Sequence, residues 1–289
     1  MHILLALIFV AIIAYHGYRK RSLSTSGIIF ASLVGFATFT SPLSLFTTVL
    51  LTFFFSSSRL TKLKAARKKE LDADYVEGGQ RNWIQVLANG ATGTAAALIY
   101  TYSHYRGSIS TDCFAFDPLA CNIILFYLGH YACCNGDTWS SEIGVLNKGW
   151  PILITTLRRV PPGTNGAVSP LGLAASLIGG SLIGLVASVS LLFSQPLCYA
   201  RVGWLPTLNL VWIGALAGLM GSLIDSLLGA TLEESLYLEK EGKVTLTKAE
   251  GVKKVNGVNI LDGHQINFIS SLLTAFLTAG IGAHFVYSP

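Results

Sequence analysis

Eight apolar stretches, separated by polar or charged residues, constrain this chain more than any other feature of its sequence. They fall near residues 3–16, 26–40, 42–57, 83–103, 118–134, 167–194, 207–230 and 265–287. Several have the roughly 20 residues that an α-helix needs to cross a bilayer. The mean hydropathy of +0.56 favours a membrane protein over a soluble domain. The sequence therefore predicts an all-α, polytopic integral membrane bundle of about eight transmembrane helices.

The basic residues predict the orientation of these helices. With eight crossings, 18 of the 20 lysines and arginines fall on one side, at 19–21, 59–81, 148–159 and 240–254. Because cytoplasmic loops carry an excess of positive charge, we expect this side to be cytoplasmic and both termini lumenal, in an endomembrane such as the endoplasmic reticulum. The net charge of +5 then reflects topology and contact with membrane lipids, and no nucleic-acid partner is expected.

The chain is predicted to divide into two parts. Residues 1–57 hold three apolar stretches without internal charges, so we interpret them as scaffold helices. Residues 58–289 are predicted to form a catalytic-type membrane domain with cytoplasmic loops at 58–82, 135–166 and 231–264. Its first segment, 58–71, has the pattern of a basic amphipathic helix on the cytoplasmic membrane surface, and this charge run also fits a solvated face.

An acidic stretch after the fifth apolar run is the first candidate site. Residues 134–144 place Asp137 and Glu142 among hydroxyl, amide and glycine residues, in a chain of which only 12% is charged. Such groups at the end of a membrane helix are costly unless they meet water, a cation or a partner. The structural alternative is that Asp137 caps a helix and Glu142 is solvated. Their five-residue spacing puts them on different helix faces, so at least one is expected in a loop or to act through water.

Small residues form two ridges that predict close helix packing. The ridges are Gly172, Ser176, Gly180, Gly184 and Ser188, and then Gly214, Gly218, Gly221 and Gly229. Asp225 follows Gly221 by four residues, so it lies on the second ridge and faces the protein interior. A bare carboxylate there is costly and requires a cation, a basic partner or a proton.

Other polar groups near predicted helix ends suit a phosphate or nucleotide site. They are Gly78, Gly79, Arg81, Asn82, Gln85 and Asn89 around the start of the fourth helix, Arg158, Arg159, Gly163, Thr164, Asn165 and Gly166 around a proline-glycine turn, and Asp262 and Asn267 at the last helix. Arginine binds phosphate through two N–H groups, and glycine turns expose backbone donors. Each set also has a structural interpretation, namely interhelical hydrogen bonds, an ordinary turn and an N-cap.

The five cysteines lack metal-ligand spacing. Cys133 and Cys134 lie near the cytoplasmic end of a helix, where buried thiols are expected. Cys113, Cys121 and Cys198 lie toward the opposite side and can include one disulfide.

In the predicted topology, the polar stretches at 77–90, 135–144, 158–166, 225–234 and 262–267 all reach the cytoplasmic ends of helices. Mg²⁺ prefers one or two carboxylates with phosphate oxygens and water, and phosphoryl transfer needs mainly positioning and charge neutralisation. We therefore expect a site for a metal-bound phosphate compound. Asp137, Glu142 and Asp225 are the predicted Mg²⁺ ligands, and Arg81 joins them as the fourth catalytic residue.

Four ordered segments resemble the signature of the transmembrane protein 19 family. They are EGGQRNWIQVLANG at 77–90, GDTWSSEIG at 136–144, PGTNG at 162–166 and GSLIDSLLGA at 221–230. The similarity runs from about residue 58 to the end. That family includes plant and cyanobacterial phytyl-phosphate kinases, and its active members are similar to CTP-using polyprenol and phytol kinases. The resemblance implies CTP-dependent transfer of phosphate to a prenyl monophosphate, with a lipid or isoprenoid phosphate and a nucleotide as partners.

Three alternatives remain open at this point. A membrane cytidylyltransferase would use the same donor and release pyrophosphate. A lipid transporter or scramblase would also use glycine-rich helices and intramembrane carboxylates. An inactive member would serve as a membrane interaction protein.

Overall fold

The described part of the chain is mostly helical. The computed structural model describes residues 3–63, 70–71, 73, 80–109, 113–245, 247–248 and 251–286. Its α-helices are α1 (Ile3–Arg19), α2 (Thr25–Phe39), α3 (Ser44–Leu63), α4 (Trp83–Tyr105), α5 (Pro118–Gly144), α6 (Pro170–Ser194), α7 (Pro196–Val202), α8 (Leu205–Leu232) and α9 (Gly263–Val286). A 3₁₀-helix at Phe114–Phe116 precedes α5.

The outer surface of the bundle is apolar, as a lipid environment requires. Among the described helices, α6, α8 and α9 are long and apolar enough to cross a membrane, while α1 and α2 are apolar but shorter. Large apolar side chains such as Leu33, Ile178, Trp212 and Phe276 are more than half exposed on these helices. Helices α3 and α5 instead direct polar side chains toward each other. The number of crossings stays a prediction.

Two helix boundaries differ from the sequence prediction, and one helix was not predicted. Helix α5 continues to Gly144, so residues 135–144 are helical and do not begin a loop. Residues 58–63 are the last six residues of α3 and do not start a surface helix. The predicted domain boundary therefore falls within α3. The remaining part of the predicted basic helix falls largely outside the described residues. Helix α7, beyond the end of α6, was not predicted.

Two small sheets at the loops show that the prediction of an all-α chain was too simple. Strand β1 (Ile152–Leu153) pairs antiparallel with β2 (Ala167–Val168). Strand β3 (Ser235–Leu238) lies between β4 (Lys243–Thr245) and β5 (Val252–Asn256) in an antiparallel sheet of order β4-β3-β5. The strands are two to five residues long, which is too short for their alternation to stand out in the sequence.

Interhelical contacts show which helix ends share a face of the bundle. Thr61 near the end of α3 bonds Glu142 near the end of α5, and Ser270 near the start of α9 bonds Asp225 near the end of α8. Helix α6 is antiparallel to α8, because Gly180 contacts Gly214 and Ser176, earlier in α6, contacts Gly218, later in α8. One face therefore collects the ends of α1, α3, α5 and α8 and the starts of α2, α4, α6 and α9. We call it the polar face.

Glycines allow α5, α6 and α8 to cross in backbone contact. A Cβ atom on Gly136 would lie 2.8 Å from the Cα of Gly218, and one on Gly218 would lie 2.8 Å from the Cα of Gly180. Real Cβ atoms do not come this close, so a larger residue forces the helices apart. The small-residue ridges predicted from the sequence are confirmed as packing surfaces.

Asn135 links three helices next to this crossing. Its Oδ1 accepts hydrogen bonds from Ser56 at 2.7 Å and Ser57 at 3.3 Å on α3, and its Nδ2 donates to Gly179 O on α6 at 2.8 Å. The side chain is fully buried. Because a buried amide must be hydrogen-bonded, this arrangement fixes the rotation of α5 and with it the direction of the side chains that follow.

A disulfide joins Cys113 to Cys198 on the face opposite to the polar face. It ties the 3₁₀-helix region to α7, and Gln195 Oε1 supports it by accepting a hydrogen bond from Phe114 N at 3.1 Å. The three remaining cysteines are free and buried. Both expectations from the sequence, one disulfide on that side and buried thiols at Cys133 and Cys134, are confirmed.

The junction between α8 and α9 holds a partly buried carboxyl group on the polar face. Asp262 caps α9 as predicted, since its Oδ1 accepts from His264 N and Gln265 N, both at 2.9 Å. Burial raises the pKa of the neighbouring Glu233 to about 7, and the charge of Asp262 adds to this effect, while a hydrogen bond from Gly263 opposes it. Glu233 therefore changes its charge near neutral pH.

We predict that Gly218→Ala destabilises the bundle. The new Cβ would lie 2.7 Å from Ser176 O and 2.8 Å from Gly180 Cα, and such overpacking costs about 1–3 kcal/mol. Gly280→Ala on α9 is the matched control, because nothing lies within 4 Å of its Cβ position. Thermal unfolding in detergent measures both variants. Equal melting temperatures for the two variants would contradict the packing argument.

We predict that Glu233→Gln stabilises the protein at high pH only. The folded-state pKa of Glu233 is raised, so its ionisation in the unfolded chain favours unfolding progressively as pH rises from about 4.5 to about 7. The variant should melt above wild type at pH 8 and equally with it near pH 4.5. Melting temperatures across this range, with the exposed Glu241→Gln as control, give the measurement. A difference that does not change with pH would refute the assignment.

Candidate functional site

Helices α5 and α8 bring Asp137 and Asp225 together beside the glycine crossing. Asp137 follows Gly136 directly, and its Oδ1 accepts a hydrogen bond from Ser222 Oγ on α8 at 3.1 Å. Ser222 precedes Asp225 by three residues on α8, so this bond brings Asp137 to the helix turn that carries Asp225. The two carboxylates repel each other when both are ionised. We call Asp137 and Asp225 the acid pair. The predicted meeting of these two distant residues at one face is confirmed.

Helix α9 supports the acid pair from the other side. Ser270 Oγ donates to Asp225 Oδ2 at 2.9 Å. With its amide oriented to satisfy both neighbours, Asn267 donates to the same oxygen at 3.1 Å and to Gly263 O at 3.2 Å. The groups that donate these bonds are neutral hydroxyls and an amide, so they orient the carboxylate without cancelling its charge.

Ser222 and Ser270 were not predicted from the sequence. A signal was present, because Ser222 precedes Asp225 by three residues and Ser270 follows Asn267 by three, which places each pair on one helix face.

Glu142 lies apart from the acid pair, although Asp137 is only five residues away. Its Oε1 accepts a hydrogen bond from Thr61 Oγ1 on α3 at 2.9 Å, and the residue is 3% exposed. The prediction of different helix faces is correct. Both residues are helical, so the alternative that one of them lies in a loop is wrong. The alternative that one of them acts through water stays a prediction. Within the described residues, no group of three or more His, Cys, Asp or Glu side chains could hold a metal ion.

Arg81 provides a cation near Glu142. Its Nη1 donates to Ser58 Oγ at 3.3 Å, and its guanidinium carbon lies 5.7 Å from the centre of the Phe53 ring. Burial lowers the pKa of Arg81 to about 10, and the charge of Glu142 partly offsets this effect. Arg81 is therefore protonated at neutral pH and is held in place before α4.

The amide residues that follow Arg81 make hydrogen bonds within the protein, and two of them also line a cavity. Asn82 caps α4 by accepting from Gln85 N at 3.0 Å. Asn89 Nδ2 donates to Gln85 O at 3.1 Å, and Asn89 O bonds His130 Nε2 on α5 at 2.9 Å. Arg81, Gln85 and Asn89 nevertheless line the same cavity, as expected from their four-residue spacing. Gly78 and Gly79 fall outside the described residues.

The turn at 161–166 packs between the three-stranded sheet and α8, and it contacts both. Gly163 and Gly166 have positive φ values of 92° and 76°, which glycine tolerates. Thr164 N donates to Pro161 O and Asn165 N donates to Ser235 Oγ, at 3.2 and 3.0 Å. These donors have partners within the protein, so the geometry favours a structural turn over the predicted phosphate cradle. Arg158 and Arg159 are exposed on the polar face.

Comparison with known proteins agrees with this architecture. Residues 8–275 match the family described as "Integral membrane protein DUF92". The chain is 42% identical to "Protein PGR" of Arabidopsis thaliana over 96% of its own length and 95% of that protein.

Two further relatives are more distant. An uncharacterized membrane protein of Methanocaldococcus jannaschii is 27% identical, over 83% of this chain and 87% of that protein. "Protein VTE6, chloroplastic" of Arabidopsis thaliana is 25% identical, over 88% of this chain and 66% of that protein. No solved structure matches the chain. The extent of the family match and the high identity to a full-length relative show that this chain belongs to the DUF92 family of integral membrane proteins.

Proposed function

We propose that this protein is an integral-membrane lipid-phosphate kinase that transfers the terminal phosphate of CTP to a prenyl monophosphate. The observation that carries the proposal is the acid pair, in which two distant carboxylates meet at the polar face. The choice of donor and acceptor rests on the resemblance to CTP-using prenyl kinases.

The acid pair fits Mg²⁺ by its chemistry. Two adjacent carboxylates with neutral hydroxyl and amide donors favour a divalent cation between them. Mg²⁺ commonly takes one or two carboxylates and completes its shell with substrate phosphate and water, so a larger protein cage is not required. Asp137 and Asp225 would hold the ion. Bound there, Mg²⁺ would neutralise nucleotide phosphates during transfer.

The reaction is balanced without a further reactant. An oxygen of the acceptor monophosphate forms a bond to the terminal phosphorus of CTP, the bond from that phosphorus to the bridging oxygen breaks, and CDP leaves. Arg81 would hold acceptor phosphate, because a guanidinium binds two phosphate oxygens at once. Glu142 acts as a positioning residue that keeps Arg81 charged and oriented. Arg158 and Arg159 are exposed on the polar face, and there they would attract the nucleotide from the aqueous side.

Two independent features support placing the polar face in the cytoplasm. Among the residues that the structure describes, most lysines and arginines lie on this face, and the Cys113–Cys198 disulfide lies on the opposite one. Disulfides persist in oxidising compartments such as the endoplasmic reticulum lumen. We therefore propose an endomembrane protein whose site opens to the cytosol, where nucleotides are available.

We predict that wild-type protein incubated with labelled CTP, Mg²⁺ and a prenyl monophosphate forms the prenyl diphosphate. Asp137→Asn and Asp225→Asn should each lower the rate about a hundredfold or more, because each removes a charge from the metal site. Glu241→Gln, which neutralises an exposed carboxylate, should retain the rate. ATP in parallel reactions tests the choice of donor.

The products separate the alternatives. A CDP-lipid with release of pyrophosphate would indicate a cytidylyltransferase. Lipid transport into liposomes that Asp225→Asn abolishes, without any diphosphate, would indicate a transporter. Absence of diphosphate with every donor would refute the kinase.

We predict that a cysteine introduced by Arg158→Cys reacts with a membrane-impermeant maleimide in sealed endoplasmic reticulum vesicles. Arg106→Cys, on the opposite face, should react only after permeabilisation. Both positions are exposed, and the natural cysteines are buried or joined in the disulfide. The reverse labelling pattern would refute the proposed orientation.

A further inference from the structure

A cavity lies among helices α1 to α4. Its walls come from all four helices and are apolar over most of their area, with side chains that include Ile13, Ala31, Phe39, Leu50 and Phe54. The scaffold interpretation assigned α1 to α3 no binding role. Nothing in the comparisons assigns one either.

The polar groups of the cavity lie along a single wall. Arg81, Gln85 and Asn89 succeed one another at four-residue intervals on α4, and Arg81 stands where α4 begins at the polar face. From Arg81 to Gly90 the wall extends about 14 Å along the helix, which is about half of a bilayer's hydrocarbon core. The cavity thus has a cationic end at the membrane surface and an apolar interior near the depth of one leaflet.

The cationic end and apolar interior of the cavity favour one kind of ligand. A guanidinium has five N–H donors and can bind two phosphate oxygens while it keeps its contact with Ser58. The aromatic ring of Phe53, which also lines the cavity, marks the point at which the polar end gives way to apolar walls. An anionic head on an apolar chain matches both parts. The cavity has a volume of about 70 Å³, which admits the start of one slender chain and is too small for a diacyl lipid.

The cavity is connected to the acid pair through α5. On one side, His130 Nε2 of α5 bonds Asn89 O of α4 at 2.9 Å, and on another, Asp137 Oδ1 of α5 accepts from Ser222 Oγ of α8 at 3.1 Å. Arg81, which precedes α4, and the acid pair therefore adjoin α5 from different neighbouring helices at the same face. A head group bound at Arg81 is near the nucleotide that the acid pair would hold.

We propose that this cavity binds the acceptor, a single-chain prenyl monophosphate, with its phosphate at Arg81 and its first isoprene unit among helices α1 to α4. The identity of the occupant as acceptor rests on the proposed kinase activity. The remainder of a longer chain would leave between the helices into lipid. Helices α1 to α3 then determine acceptor specificity.

The test is equilibrium binding of labelled geranylgeranyl monophosphate to the purified full chain in detergent, without nucleotide. Ala31→Phe and Val86→Phe fill the cavity from α2 and α4, and each should raise the Kd about tenfold or more. Leu33→Phe is the matched control, because Leu33 is 61% exposed on the lipid side of α2 and does not line the cavity. Melting temperatures identify any variant that fails to fold, and the other filling variant then decides.

The head group is tested with the corresponding prenyl alcohol and with phosphatidic acid. Wild type should bind the monophosphate about tenfold more tightly than the alcohol, and Arg81→Gln should abolish this preference. Phosphatidic acid should compete poorly. Tight phosphatidic acid binding that neither filling variant weakens, or monophosphate binding unchanged in both, would overturn the assignment.

Binding and catalysis can fail separately. Cavity-dependent binding without diphosphate formation would retain the binding site and refute the kinase, whereas diphosphate formation that both filling variants leave unchanged would retain the kinase and refute the acceptor cavity.

Discussion

Backbone contact between α5, α6 and α8 is the constraint on which the rest of the structure depends. Membrane helices gain little from apolar burial against one another, because lipid is equally apolar, so they associate through close packing and hydrogen bonds. Gly136, Gly180 and Gly218 supply the close packing, and Asn135 supplies hydrogen bonds to α3 and α6 at the same level. Asp137 follows Asn135 by two residues, so the contact that sets the rotation of α5 also sets the direction of the Asp137 side chain.

The sequence predicted the convergence of the site because its signals were local and periodic. Four-residue spacing identified the small-residue ridges and put Asp225 on one of them, and the positive charges sorted helix ends into two faces. Both inferences follow from helix geometry alone. The capping role of Asp262 was also predictable, since an aspartate directly before an apolar run is a common N-cap.

Other features depended on tertiary contacts that no local pattern reports. Residues 135–144 contain asparagine, glycine and serine, which have low helix propensity, so the segment resembled a loop. Interhelical bonds of Asn135, Asp137 and Glu142 keep it helical in the folded protein. The cavity among α1 to α4 could not be predicted from the sequence for a related reason. Its walls come from four separate segments, and the polar groups belong to the α4 segment.

Helix α5 separates the positive charge of Arg81 from the negative charges of the acid pair. This separation leaves Arg81 able to attract a phosphate and the acid pair able to attract a metal ion. If Arg81 lay beside the acid pair, an ion pair would satisfy both groups and leave little attraction for a metal ion or a phosphate. Glu142 instead partly compensates Arg81 on one side of the helix, while Ser222 and Ser270 support the carboxylates on the other. The five-residue step from Asp137 to Glu142 produces this division, since it turns two carboxylates of one helix toward different neighbours. Phosphate transfer would require such a separation, because the cation must meet phosphate and the carboxylates must meet metal before the two partners come together.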